Sequence, residues 1–212
     1  MQRIAAGMET TSTADRSGEA PKQYFAFLAS RYAGDEQQSL RRQISELGRE
    51  VDLPVWVAEV EQPDLASGKD QLQVVDVCMA AISKARTLIA VVDGSLGTSL
   101  DPYGQTLVAS YIEMELFQAA LLGKPVYVFG IGRIDDESPT GRLLKILQFA
   151  YPKTTRTNVD GPREVLSEVR RLLAAEKRRW LPALIFGAAG RWWVYWVRTG
   201  MPIGTTKDFG GS

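Results

Sequence analysis

The order of apolar runs along the chain predicts an α/β fold. It is a flavodoxin-like, doubly wound parallel five-stranded sheet, strand order 2-1-3-4-5, with a Trp-rich C-terminal extension. Three observations carry that expectation. Strand-like and helix-like segments alternate five times between residues 22 and 178, a pattern that right-handed crossovers turn into a parallel sheet. TLIAVVDG (87–94) is a continuous β-rich run ending in an acid and a glycine, as a strand buried on both faces does. Gly123-Lys124-Pro125 stops an apolar helix and opens the run PVYVFG (125–130).

The elements follow in order. Residues 1–21 are rich in Thr, Ser, Ala and Gly without apolar periodicity and read as a disordered leader. YFAFLAS (24–30) is the first strand. Asp35 is placed to cap a helix in which Leu40, Ile44 and Leu47 fall at helical spacing, with Gly48 as its stop. LPVWVAEV (53–60) reads as the second strand, and Leu72, Val75, Cys78, Met79 and Ile82 mark the second helix. After the strand at 87–94 comes a Gly/Ser/Asp/Pro loop (95–106), then a long apolar helix over roughly 107–122. The strand at 125–130, a polar loop, a short helix (140–150), an edge strand TTRTNV (154–159) and an amphipathic helix (161–178) complete the domain, 22–178.

Composition removes several kinds of chemistry. The 212 residues contain no histidine and one cysteine. Ser-His-Asp and Cys-His catalysis, imidazole bases and His-containing zinc sites are therefore excluded, as is a disulfide framework within the chain. Neither a metal site nor a resident cofactor is expected. A single cysteine suits a reducing, cytoplasmic setting. The 25 basic and 25 acidic residues cancel, but unevenly: 176–212 holds six basic and two acidic residues, a formal +4, which leaves −4 on residues 1–175. No broad basic face is implied for the body, so nucleic acid is a poor partner for it.

A sheet of order 2-1-3 binds ligands between the carboxyl ends of its first and third strands. The groups expected there are Ser30 and Arg31, then Asp93, Gly94 and Ser95, then the start of the helix after residue 107. That helix, SYIEMELFQAALLGKP (110–125), carries Glu113 and Glu115, which at about 100° per residue point about 200° apart and cannot act as one pair. Tyr111, Glu115 and Gln118 share a polar stripe. On the residues alone, one glutamate marks the solvent side of a half-buried helix. Asp93 reads either as a turn former before glycine or as a holder of a substrate hydroxyl. Ser110 reads as a local helix hydrogen-bonder or a site group, and Tyr103 as part of a DPYG turn or a stacking platform for a base. Cys78 falls at a buried helical position, as a small core hydrophobe does. Gly130-Ile131-Gly132 lacks the third glycine of a dinucleotide fingerprint.

The segment DVCMAAISKARTLIAVVDGS, followed after a loop by SYIEMELFQAALLGKPVYVFG, resembles the core of the nucleoside 2-deoxyribosyltransferase-like and TIR-like group of α/β domains. It is most similar to a bacterial branch with a Ser-x-x-Glu-x-Glu motif at the N-termini of signalling and defence proteins. In the deoxyribosyltransferases the third strand ends in Asp, and the catalytic Glu lies eight residues before the Gly of a Gly-Lys-Pro turn. Asp93, Glu115 and Gly123 match that spacing. The sequence departs from the pattern at Ala29-Ser30-Arg31, where the family has Gly-Pro, and in a longer loop from Gly94 to Ala109.

The resemblance, over about residues 23–131, implies cleavage of a nucleotide N-glycosidic bond. Glu115 would stabilise or attack the ribosyl cation and Asp93 would hold a hydroxyl or base edge. Ser30, Arg31, Gly94, Ser95, Tyr103, Ser110 and Tyr111 would line the nucleotide or nucleoside. NAD is the first candidate substrate, because its nicotinamide is already cationic and leaves without a proton donor. A homo-oligomeric, defence-signalling protein is the implied setting. The alternatives are a non-catalytic nucleotide-sensing or self-associating module and a nucleoside 2-deoxyribosyltransferase.

The tail, 179–212, stands apart. Four of the five tryptophans lie between 180 and 196, and 181–197 is an apolar run broken only by Arg191 and flanked by basic residues. Packing against a domain or subunit, lying on a membrane as a helix or hairpin, and spanning a membrane are the three readings.

Overall fold

The computed structural model describes residues 23–31, 34–66, 71–97, 110–186 and 192–198. The leader over 1–21, most of the loop after Ser95, and Tyr103 within it lie outside them. Five strands, β1 (Ala26–Ser30), β2 (Val55–Trp56), β3 (Thr87–Val92), β4 (Val126–Ile131) and β5 (Thr154–Val159), form one sheet in the order β2-β1-β3-β4-β5. Every pairing is parallel, with Ala26 opposite Val55 and Thr87, Leu88 opposite Val126, and Val126 opposite Thr154.

Period-two alternation along the strands sorts their side chains into two cores. Phe27, Ala29, Leu88, Ala90 and Val92 pack with helices α3 (Gln71–Lys84), α4 (Tyr111–Leu121) and α5 (Pro139–Ala150). Ala26, Leu28, Ile89 and Val91 pack on the other face with α1 (Asp35–Glu50) and α6 (Pro162–Arg179). Coverage of both faces explains why β3 is buried at all six positions. Phe27 also stacks on Trp56, ring centroids 4.9 Å apart, which ties the short edge strand to β1.

Three local expectations are corrected. The second strand is only Val55–Trp56; the chain turns at Val57 into a one-turn helix, α2 (Ala58–Glu61), and a 3-10 turn (Pro63–Ala66). Asp35 is not the cap of α1 but lies in its first turn, where its charge complements the helix dipole; the cap position is Gly34, at φ 80°. Gly48 does not stop the helix, which runs on to Glu50. Its missing side chain instead lets the following chain cross: a Cβ there would sit 2.7 Å from the Leu53 carbonyl oxygen and 2.8 Å from Val55 Cγ2. The Gly-Lys-Pro turn has a structural use as well. Gly123 takes φ 65°, and the Lys124 ammonium crosses to the carbonyls of Ser83 and Ala85, fastening the entry to β4 against the end of α3.

In the extension, β6 (Trp180–Phe186) and β7 (Trp192–Arg198) pair antiparallel, with Trp180 opposite Arg198 and Phe186 opposite Trp192. Among the described residues no helix is long and apolar enough to cross a membrane.

The close crossing at Gly48 yields a stability test. Alanine would gain about 1 kcal/mol of helix propensity, but forcing a Cβ into backbone costs about 1–3 kcal/mol. Gly48→Ala should therefore lower the urea midpoint at unchanged slope, whereas a raised midpoint would show that the crossing yields easily.

Candidate functional site

Three strand ends and two helices deliver charged groups to one crevice. β1 ends in Ser30 and continues into Arg31, β3 runs into Asp93 and Gly94, and the turn after β2 presents Glu59. Across from them α4 begins at a capping box. Ser110 Oγ accepts the Glu113 N–H at 3.2 Å, and the Glu113 carboxylate accepts the Ser110 N–H at 2.5 Å. The box absorbs Glu113 at the helix entrance. Glu115, two residues on, turns inward and is buried, 7% exposed, on the same helix as buried Ile112, Leu116 and Ala119. The solvent-side reading of this helix does not apply to Glu115.

Arg41 of α1 is buried too, at 4% exposure. Its Nε and Nη2 grip Glu59 Oε1 and Oε2 at 2.7 and 2.8 Å, a two-pronged ion pair. Its Nη1 donates to the Ser30 carbonyl at 2.8 Å and to Ser30 Oγ at 2.7 Å. Arg41 is also the cation that acts on Glu115, and the Cys78 thiol of α3 hydrogen-bonds the Glu115 carboxyl.

These neighbours set the protonation state. Burial strips the Glu115 carboxylate of water, and that effect outweighs the Arg41 charge and the Cys78 hydrogen bond, both of which favour ionisation. The carboxyl is pushed up to about 8. At neutral pH the site thus holds a neutral acid near an Arg41–Glu59 pair. Burial, and then the adjacent Glu115, push the Cys78 thiol far above its ordinary range, so it is a weak donor rather than a nucleophile.

Further out, Arg31 Nη1 reaches both oxygens of Asp93 at 3.2 and 3.3 Å, and Gln37 Nε2 reaches Asp93 Oδ2 at 3.4 Å. Gly94 takes φ 83°, its carbonyl accepting from Thr140 Oγ1 at 3.1 Å; Ser95 Oγ accepts the Gly97 N–H at 3.2 Å. Ser30, Arg31, Asp93, Gly94 and Ser95 thus lie along the β1 and β3 ends. Ser110 is buried in its capping box, and Tyr111 is half-buried at the first position of α4. Ser30 is linked through Arg41 to Glu115, and Asp93 belongs to the outer Arg31 pair.

Sequence reasoning missed Arg41 and Glu59 and gave Cys78 no polar role. Arg41 had a signal: it lies on the same helical stripe as Ile44, Ser45 and Gly48, all buried. Glu59 had none, because the segment read as strand.

The proton on Glu115 makes stability pH-dependent with a defined sign. Its native value, about 8, lies above its unreacted value of 4.5, so the native state binds the extra proton between them. The contribution is complete below about pH 4.5 and is lost as pH rises to about 8. Unfolding free energy from urea titrations should fall across that window in wild type, and the fall should be smaller in Glu115→Gln.

No family model matches the sequence, and no curated protein matches it. Among solved structures, the chain is similar to the CMP N-glycosidase BcmB of Clostridium botulinum, at a TM-score of 0.48 and 17% identity. The match covers 69% of this chain and 98% of that one.

Proposed function

We propose that this domain cleaves the N-glycosidic bond of a nucleotide or nucleoside, with Glu115 as the reacting carboxyl. The observation that carries the reading is the charge balance of the crevice. Glu115 is buried beside one cation, Arg41, which is already paired with Glu59. Ionised Glu115 would leave the crevice one positive charge short. An oxocarbenium-like ribosyl centre supplies that charge only as the bond breaks, so the carboxylate binds the transition state more tightly than the ground state.

The steps balance without histidine. The C1′–N bond breaks and its electron pair leaves with the base. A nicotinamide that was cationic departs neutral and needs no proton. Glu115 gives up its proton to solvent, and the resulting carboxylate stabilises C1′ or bonds to it. Water adds to C1′, and the water's proton returns to the Glu115 carboxyl, restoring the starting state. NAD is therefore the first substrate to test. CMP, the compound in the name of the similar structure, belongs in the same panel with deoxynucleosides plus an acceptor base. Asp93, which accepts hydrogen bonds from Arg31 and Gln37, would take a ribose hydroxyl in this reading. Self-association and the defence-signalling setting implied by the resemblance form part of this proposal, and are read by assaying across protein concentrations.

Glu115→Gln should lower turnover by about two orders of magnitude or more with folding intact. In wild type, kcat/KM should rise with pH toward about 8, because the reacting form is the carboxylate. A kcat/KM that falls over that range would assign Glu115 the role of proton donor to a neutral base. Absence of turnover across the panel at every protein concentration would overturn the reading.

A further inference from the structure

The carboxylate of Glu59 does not border the scissile bond in the proposed reading, yet both of its oxygens are held by short bonds to one buried partner. It lies on the one-turn helix after β2, its side chain 9% exposed, with both oxygens on Arg41 at 2.7 and 2.8 Å. Arg41 in turn reaches Ser30, at the end of β1, through its third nitrogen. The guanidinium is thus aimed by Glu59 and Ser30, and its charge acts on Glu115.

We propose that Glu59 is a positioning residue for Glu115 that acts through Arg41. By gripping the guanidinium with both oxygens, it neutralises the one cation beside Glu115 and keeps that carboxyl protonated until a ligand brings its own positive charge. The inference deepens the reading of Glu115 as the reacting group and rests on it for its effect on turnover.

Simple electrostatics gives the direction. Two carboxyl groups share one cation here. While Glu59 is ionised, the Arg41–Glu59 unit is neutral overall, and Glu115 sees only the difference between a near positive and a further negative charge. Removing the charge of Glu59 leaves Arg41 a full cation, and one such neighbour favours carboxylate ionisation by about 1–3 pH units. The other groups around this unit act in known directions. Cys78, from α3, offers Glu115 a weak hydrogen bond and carries no charge, since its thiol is pushed up by burial. Behind Glu59, an open cleft of about 390 Å³ between α1 and α2 is lined by Arg42, Glu46 and Arg49 as well as Ser45. Arg49 pairs with Glu61 at 3.5 Å, which leaves Arg42 against Glu46. All three lining charges face water, so they are screened more strongly than the buried pair.

The test compares Glu59→Gln, which keeps one acceptor for Arg41 but no charge, with Glu59→Asp, which keeps the charge. The first readout does not require activity: infrared difference titration of the protonated carboxyl, with the Glu115 band identified by its loss in Glu115→Gln. Glu59→Gln should titrate about one pH unit or more below wild type, and the acid limb of kcat/KM should move down with it. Glu59→Asp should restore the wild-type value. A purely structural Glu59 would change the unfolding midpoint and leave the Glu115 titration in place. An unmoved titration in folded Glu59→Gln overturns the inference, as does one that moves upward. Should Glu59→Gln fail to fold, Glu59→Ser removes the same charge with a smaller side chain: a Glu115 carboxyl titrating below wild type supports the inference, and one at or above the wild-type value overturns it. A moved titration in a protein that cleaves nothing in the panel leaves the inference standing and overturns only the glycosidase reading.

Discussion

The Arg41 guanidinium is the constraint on which the crevice depends. It joins three elements far apart in sequence: α1 that carries it, the end of β1 at Ser30, and the turn after β2 at Glu59. A buried arginine is tolerable only when its donors are met, and each of its three nitrogens donates to a partner. Breaking such a pair from one side strands the other charge in low dielectric, at a cost of about 3–5 kcal/mol. Arg41 therefore does two things at once. It fixes the mouth of the sheet, and it sets the electrostatic level at which Glu115 titrates.

The parallel sheet makes that convergence possible. All five strands point the same way, so their carboxyl ends lie along one rim, and the order β2-β1-β3 puts Glu59, Ser30 and Asp93 side by side on it. The remaining element, α4, brings Glu115 down against the rim from the α3 side. Its capping box decides which glutamate does so. A helix entering one residue earlier would rotate every position by about 100° and turn Glu115 out of the crevice.

The sheet was legible in the sequence because its signals are local. LIAVV and VYVFG carry no charged residue, and Gly123-Lys124-Pro125 marks the boundary between α4 and β4. The same locality misled at residues 53–60. LPVWVAEV has a strand's composition, yet pairing with β1 stops at Trp56, and the chain bends so that Glu59 meets Arg41. Composition could not disclose that bend, because its driving contact is with a residue 18 positions back. Glu115 was legible from its placement before the Gly-Lys-Pro turn. Its burial was not, since a charged residue on a helix is solvated in most proteins. In the extension, antiparallel pairing brings Lys177, Arg178 and Arg179 to the same end of the hairpin as Arg198, whereas a single span would part them.

A protein that buries an acid in this way trades stability for reactivity. The fold favours neutral Glu115, and the proposed chemistry needs its carboxylate, so ionisation has to be driven by something that enters the crevice. Free water cannot drive it, because exclusion of water is what holds the proton on. A ligand that develops positive charge at C1′ can. It restores the balance that Glu59 removes from Arg41, and it does so more strongly the further the glycosidic bond has stretched. Selectivity then follows from electrostatics as well as shape. A nucleotide whose base cannot leave keeps Glu115 neutral and the crevice unreactive, while one whose base leaves readily ionises the group that attacks it.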